Sequence, residues 1–150
     1  MDLLVGLRLI MKILLLTSSL GAGGAERVAT TLCNAWSARG DQVTLVPTFS
    51  GGGQPFYEVS DAMELIYLAD IVGLTHKSIQ TYYKRLYALR CLIKDRAPDV
   101  VISFLPNVNV AAVLSTLRLQ IPLIICERSN PTSRPSSFIW KSACTLLYPF

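Results

Sequence analysis

The stretch from Lys12 to Arg27 constrains this chain more than any other: an apolar run, Ile13-Leu14-Leu15-Leu16, then a small-residue turn, then a helical pattern. A short unbroken apolar run leading into a glycine turn reads as a strand buried on both faces, as in parallel sheets. The turn carries Gly21, Gly23 and Gly24. Beyond it, Ala25, Val28, Ala29, Leu32, Ala35 and Trp36 recur at helical spacing and predict one apolar face. Strand, glycine turn and helix in succession aim backbone N–H groups and a positive helix end at an anion. Glycine there permits positive φ and close approach of a ligand. A plain tight turn between strand and helix is the alternative that the residues leave open.

Two nucleotide-binding patterns fit poorly. The dinucleotide fingerprint takes glycine at its first, third and sixth positions; Gly21 and Gly23 match, but Glu26 stands at the sixth. Val46-Pro47-Thr48 also stands where a ribose-binding carboxylate is expected after the second strand, which disfavours an NAD-dependent oxidoreductase. No Gly-Lys-Ser/Thr triplet closes a phosphate loop.

Strand and helix patterns alternate along the remainder. The first helix is predicted over Ala25 to about Arg39, with Gly40 just past its end and Arg39 near the negative pole. Gln42 to Val46 predicts a second strand stopped by Pro47, and Met63 to Leu68 a third. Ser78 to Ala97 is the longest helical stretch, with Ile79, Tyr82, Leu86, Leu89 and Ile93 as its inward stripe. Lys77, Lys84, Arg85, Arg90, Lys94 and Arg96 surround that stripe together with Tyr83 and Tyr87. This is either an ordinary solvated exterior or a basic, tyrosine-bearing helix lying near anionic headgroups. Asp99 to Phe104 predicts a fourth strand, then a helix capped by Asn107 or Asn109, then a fifth strand over Pro122 to Cys126. Phe138 to Leu147 is a last amphipathic piece.

The pattern predicts an α/β, Rossmann-like, doubly wound parallel sheet of order 3-2-1-4-5. Ligands of such sheets bind outside the carboxyl ends of the strands, at the switch between strands one and four. Three polar segments fall there, residues 18–26, 105–109 and 127–130, and their convergence is the site that the residues predict.

At 150 residues the chain suits one domain, and its net charge of +4 favours anionic partners without the clustering that nucleic acid binding needs. Cys33, Cys91, Cys126 and Cys144 form no CxxC pair and His76 has no metal-type neighbours, so reduced thiols and no metal site are expected. Asp2, Arg8 and Lys12 interrupt the apolar start, which excludes a span of about twenty apolar residues. Met11-Lys12-Ile13 looks like a natural start, making residues 1–10 an expected extension.

Several of these segments together resemble glycosyltransferase family 4. The carriers are Met11-Lys12-Ile13-Leu14-Leu15-Leu16, Gly23-Gly24-Ala25-Glu26-Arg27, Ala38-Arg39-Gly40-Asp41-Gln42-Val43, Pro98-Asp99-Val100-Val101-Ile102-Ser103-Phe104 and Cys126-Glu127-Arg128-Ser129-Asn130-Pro131. Within the family the chain is similar to bacterial transferases acting on undecaprenyl-diphosphate-linked glycan precursors. The resemblance implies a GT-B enzyme with two Rossmann-like domains, of which residues 11–150 form a truncated N-terminal, acceptor-side domain. The C-terminal domain, which grips the nucleotide sugar, would be missing, and the stretch alone would be inactive. It implies retaining transfer of a sugar from a nucleotide diphosphate sugar to a lipid-linked or saccharide acceptor, with no further cofactor. It also implies a cytoplasmic enzyme, at most peripheral on the inner face of the plasma membrane. A non-catalytic nucleotide-binding or partner subunit is the competing reading.

The resemblance carries substrate contacts onto Gly21, Gly23, Gly24, Glu26, Arg27, Asn107, Glu127, Arg128 and Asn130. Glu26 would either touch substrate or compensate the helix dipole, and Glu127 and Arg128 would either line the cleft or pair with each other. Some relatives carry a histidine after the fourth strand; Asn107 or Asn109 stands there here, so no general base is assigned. Retaining members are thought to work by donor positioning and charge stabilisation on the diphosphate leaving group.

Overall fold

The computed structural model describes residues 9–73 and 79–127. The expectations for residues 1–8, for Lys77 and Ser78, for Arg128 and Asn130, for Cys144 and for the piece Phe138 to Leu147 lie outside the described residues.

Strand β1 (Lys12–Thr17) is the middle of a parallel sheet, paired with β2 (Gln42–Pro47) on one side and β4 (Val100–Phe104) on the other. The short β3 (Glu64–Leu65) extends the sheet past β2, and β5 (Leu123–Cys126) extends it past β4, giving the order β3-β2-β1-β4-β5. This is the predicted topology. Period-two alternation then sorts each strand between two cores. Ile13, Leu15, Val43, Leu45, Ile102 and Phe104 face the helix α1 (Gly24–Ala38). Leu14, Leu16, Val46 and Val101 face α2 (Leu68–Val72), α3 (Ile79–Arg96) and α4 (Pro106–Thr116). Leu14, Leu15 and Leu16 are fully buried, and each contributes about 2 kcal/mol of apolar burial.

Two aspartates fix where β1 begins. Asp99 accepts from the Lys12 N–H at 2.7 Å, and Asp41 accepts from the Met11 N–H at 3.2 Å. Gly40 takes the left-handed conformation just past α1, at φ +93°, as its position predicts. Arg39 turns to Asp41 instead of serving the helix dipole alone.

Several expectations are corrected. The second strand ends at Pro47, one residue past the predicted Val46, opposite Thr17, where a missing N–H costs little. The third strand has two residues, and Leu68 starts α2. The inward face of α1 is Glu26, Ala29, Thr30, Cys33 and Ser37, while Ala35 is exposed. Small residues let that helix lie close to the sheet, and Val28, Leu32 and Trp36 pack along its flanks. Thr30 is tolerated inside because its hydroxyl donates to the Glu26 and Arg27 carbonyls, both at 3.0 Å. On α3 the buried residues are Thr81, Leu89, Leu92 and Ile93, and Ile79 is largely exposed. Neither Asn107 nor Asn109 caps α4: both lie inside it, and Leu105 holds the cap position with Pro106 following.

The outer strand β3 is tied to α3 by an ion pair, with Arg96 donating to Glu64 Oε1 at 2.6 Å and to Oε2 at 2.8 Å. That guanidinium, helped by Thr44, holds the Glu64 carboxyl below its ordinary pKa of 4.5. A carboxyl depressed in the folded state stabilises the fold above its unfolded pKa and loses that contribution as pH falls through the folded value. Arg96→Met is therefore expected to cost less than about 1 kcal/mol at pH 7, since the pair is partly exposed. The gap between variant and parent should close below the ordinary carboxylate range. Urea unfolding across pH measures both.

Candidate functional site

Because the sheet is parallel, the segments following β1, β4 and β5 leave from the same edge, and those strands are adjacent. The glycine turn, the Leu105–Pro106 corner and Glu127 thus share the carboxyl end of the sheet. Arg128 and Asn130, predicted to join them, lie outside the described residues.

The turn differs in kind from the expected one. None of Gly21, Gly23 and Gly24 has positive φ; Gly23 is extended, at φ −91° and ψ 159°. What a Cβ at position 23 would meet is the Glu26 carboxylate, the movable end of a side chain, which would have to shift. Glu26 as a residue is 9% exposed, and its carboxylate accepts from Ser19 Oγ at 3.1 Å. A negative group thus already sits in the first turn of α1, where the helix dipole favours it. Gly21 and Gly24 are different: a Cβ at Gly24 would meet nothing within 4 Å, and one at Gly21 would meet only Ser19 Oγ at 3.8 Å. Arg27 is exposed beside them, with its backbone N–H bonded to the Gly23 carbonyl at 3.0 Å.

At the next corner Leu105 adopts φ +80°, a conformation costing a non-glycine residue about 1–3 kcal/mol. Its side chain packs against both cores, which over-determines the position. Asn107 is half-buried in the first turn of α4. Asn109 is buried, its amide 2.7 Å from Ser103 Oγ and, at the same end, 3.1 and 3.2 Å from the Ser103 and Leu105 carbonyls. Two carbonyls can only accept, so that end is the NH2. Asn109 is a core polar group bracing the β4–α4 corner.

Sequence reasoning missed three polar atoms on this side of the sheet. Thr17 Oγ1, Ser50 Oγ and Arg85 Nε are buried without a hydrogen-bond partner among the described residues. The Arg85 guanidinium lies 5.5 Å from the centre of the Phe49 ring. Leaving such groups unpaired costs about 1–3 kcal/mol each, a signal no sequence pattern carries.

The basic face predicted for α3 is also revised. Arg90 donates to the Ser115 and Leu117 carbonyls at the end of α4, both at 2.9 Å, and Arg96 is paired with Glu64. Two of the arginines are therefore architectural. What α3 shows to solvent includes Ile79, Tyr83 and Tyr87, with Lys84 and Lys94, and also Gln80, Cys91 and the acidic Asp95.

No group of three metal-ligating side chains occurs among the described residues. The Cys33 thiol is pushed up to about 12 by burial, which makes it a poor nucleophile.

The model for Glycosyltransferase Family 4 matches residues 22–145, from the glycine turn past β5. The chain belongs to glycosyltransferase family 4. It is 34% identical over 142 residues to the Campylobacter jejuni GalNAc-alpha-(1->4)-GalNAc-alpha-(1->3)-diNAcBac-PP-undecaprenol alpha-1,4-N-acetyl-D-galactosaminyltransferase. That match covers 93% of this chain and 38% of the relative's length. Among solved structures, the calicheamicin glycosyltransferase CalG4 aligns at a TM-score of 0.52 and 18% identity, over 89% of this chain and 36% of that one. The Bordetella bronchiseptica enzyme WbmG, solved with NAD and UDP, aligns at 0.54 and 13% identity, over 94% of this chain and 50% of that one. Such distant likenesses show a shared Rossmann-like fold. The family-4 assignment comes from the sequence match, and Gly23 to Arg27 lie within it.

The turn geometry sets up a double-mutant test. Gly23→Ala should destabilise the domain by about 1 kcal/mol by expelling the buried carboxylate. In a Glu26→Ala background the same change should cost nothing. Gly24→Ala should be neutral or slightly stabilising, because glycine is a poor helix former. Chemical denaturation of the four variants decides it.

Proposed function

We propose that this chain forms the acceptor-side domain of a retaining glycosyltransferase in cell-surface glycan assembly. The enzyme moves a sugar from a nucleotide diphosphate sugar to a lipid-linked or saccharide acceptor. The observation that carries this reading is the family-4 match running through the very turn that the sheet presents at its carboxyl edge. The Campylobacter relative supports the lipid-linked class of acceptor.

Within this reading the two sides of the turn divide the work. The open side, Gly21 and Gly24 with the exposed Arg27, is where substrate comes closest, and Arg27 supplies positive charge toward phosphate. Glu26 positions the turn and keeps its closed side anionic. Asn107 and Glu127 border the same crevice and serve polar contacts, with Arg128 and Asn130 following in sequence. The leaving diphosphate is stabilised by fixed cations and dipoles, and Asn107 acts as neither acid nor base.

No helix among the described residues is long and apolar enough to cross a membrane. We place the enzyme in the cytoplasm, touching the inner membrane face through the exposed side of α3. Tyr83 and Tyr87, 68% and 73% exposed one helical turn apart, supply interfacial aromatic surface beside Lys84.

Transfer is tested on the intact protein with a panel of nucleotide sugars and a polyprenyl-diphosphate-linked acceptor. Gly24→Val should lower turnover roughly a hundredfold while leaving the unfolding midpoint in place, as expected of a misplaced substrate. Unchanged turnover would remove Gly24 from the site. In liposome pelleting, binding should require anionic lipid and weaken with salt. The double variant Tyr83→Ser/Tyr87→Ser should bind less, and equal pelleting on neutral lipid would refute the electrostatic component.

A further inference from the structure

A second recognition surface lies beside the glycine turn, on the flank formed by α1 and β3. The Leu20 carbonyl, within the turn, accepts from the Phe56 N–H at 2.9 Å. That bond anchors a loop which the rest of the fold also holds. Asn34 on α1 donates to the Glu58 carbonyl at 2.9 Å and accepts from the Ser60 N–H at 3.0 Å. The Tyr67 hydroxyl donates to the Gly53 carbonyl at 2.8 Å, and Asp70 accepts from the Gly52 N–H at 3.1 Å. A loop pinned at this many points is preorganised, so a ligand binding to it does not pay for ordering it.

The loop encloses a cleft of about 440 Å³, bordered by Gln54, Tyr57, Glu58 and Asp61 over a floor of Met63 and Leu65. That volume lies within the ~300–1,000 Å³ of small-molecule sites. Phe56 stands next to it, 67% exposed, its ring edge-to-face with Tyr57 at 5.1 Å and 80°. An exposed phenylalanine held rigidly against a second ring is a platform lacking its partner. The polar part of the lining is an amide, a phenol, the Ser60 hydroxyl and two carboxylates, with no lysine or arginine. Neither Glu58 nor Asp61 has an ion-pair partner among the described residues. Two unneutralised carboxylates repel phosphate, and they make strong, charge-assisted hydrogen bonds to hydroxyl donors. With no third metal-type ligand among the described residues, a cation site is not formed either.

Aromatic faces beside carboxylate and amide acceptors complement a ligand with an apolar C–H face and a hydroxyl-bearing edge. The geometry points to a neutral-saccharide subsite at Phe56, Tyr57, Glu58 and Asp61, which takes the uncharged glycan portion of the acceptor. It rests on the transferase reading above and adds to it where the sugars, as opposed to the phosphates, are held. Charge then sorts the groups at this edge: phosphate goes toward Arg27, and the neutral sugar adjoining the accepting hydroxyl lies over Leu20 and onto the aromatic pair.

The test uses the intact protein and a set of neutral N-acetylhexosamine disaccharides, alongside the same sugars bearing a phosphate. In saturation-transfer NMR, at least one neutral disaccharide should take saturation on its ring C–H protons, and its phosphorylated form should bind more weakly. Phe56→Ala and Tyr57→Ala should each weaken binding roughly tenfold, the loss expected of an aromatic anchor. Asp61→Asn should restore binding of the phosphorylated sugar toward that of the neutral one. Phe56 is exposed, so an unchanged unfolding midpoint certifies its variant as folded. Failure of every neutral sugar to bind, or full binding by both aromatic variants, overturns the subsite. In the transfer assay Phe56→Ala should raise the acceptor KM roughly tenfold and leave kcat and the donor KM alone. Unaltered acceptor KM overturns the subsite and leaves the transferase reading intact. A parent protein that transfers no sugar removes that reading, and the NMR titration still judges the cleft.

Discussion

The architecture depends on β1 being buried on both faces and hydrogen-bonded on both edges. Leu14 and Leu16 serve one core and Ile13 and Leu15 the other, so one strand joins two otherwise separate apolar clusters. Asp41 and Asp99 clamp its start and its register fixes β2 and β4. The point where the chain leaves β1 is thereby set, and with it the place of the glycine turn. A one-residue slip would exchange the two apolar sets between the cores and shift the turn relative to the neighbouring strand ends.

That turn shows why glycine needs a cause before it is given a role. At Gly23 the cause is internal, a buried glutamate side chain lying where a Cβ would go. At Gly24 no neighbouring atom explains the residue. One sequence signature, Gly-Gly-Ala-Glu-Arg, therefore holds two unlike glycines: one completes the fold of the turn, and the other leaves space outside it. The electrostatics differ accordingly. The helix end is already partly compensated by Glu26, so charge recognition shifts outward to Arg27.

Much of this was legible in the residues. The strand order followed from alternating patterns and the handedness of crossovers, because apolar runs bounded by glycine and proline allow few other arrangements. Helix faces were less legible. Hydrophobicity nominated Ala25 and Ala35, whereas close approach to the sheet selected Thr30, Cys33 and Ser37, since small size matters more than apolarity where a helix lies against strands. The arginines of α3 looked alike in sequence, yet Arg90 and Arg96 are committed to distant partners at α4 and β3. Long-range pairing is invisible to local pattern. Nor could the strain at the corner be seen: Leu105-Pro106-Asn107 reads as an ordinary turn, and packing against both cores accompanies the positive φ of Leu105.

The last strand has a practical side. Among the described residues β5 pairs only with β4, and it turns Ile124 and Ile125 to opposite faces, both substantially exposed. An apolar strand with an open edge is a template on which another chain can add itself. Any recombinant form that leaves this edge bare invites intermolecular strand addition and precipitation. A lysine at position 124, or a covering segment fused behind Cys126, is the natural remedy when the domain is prepared for solution work.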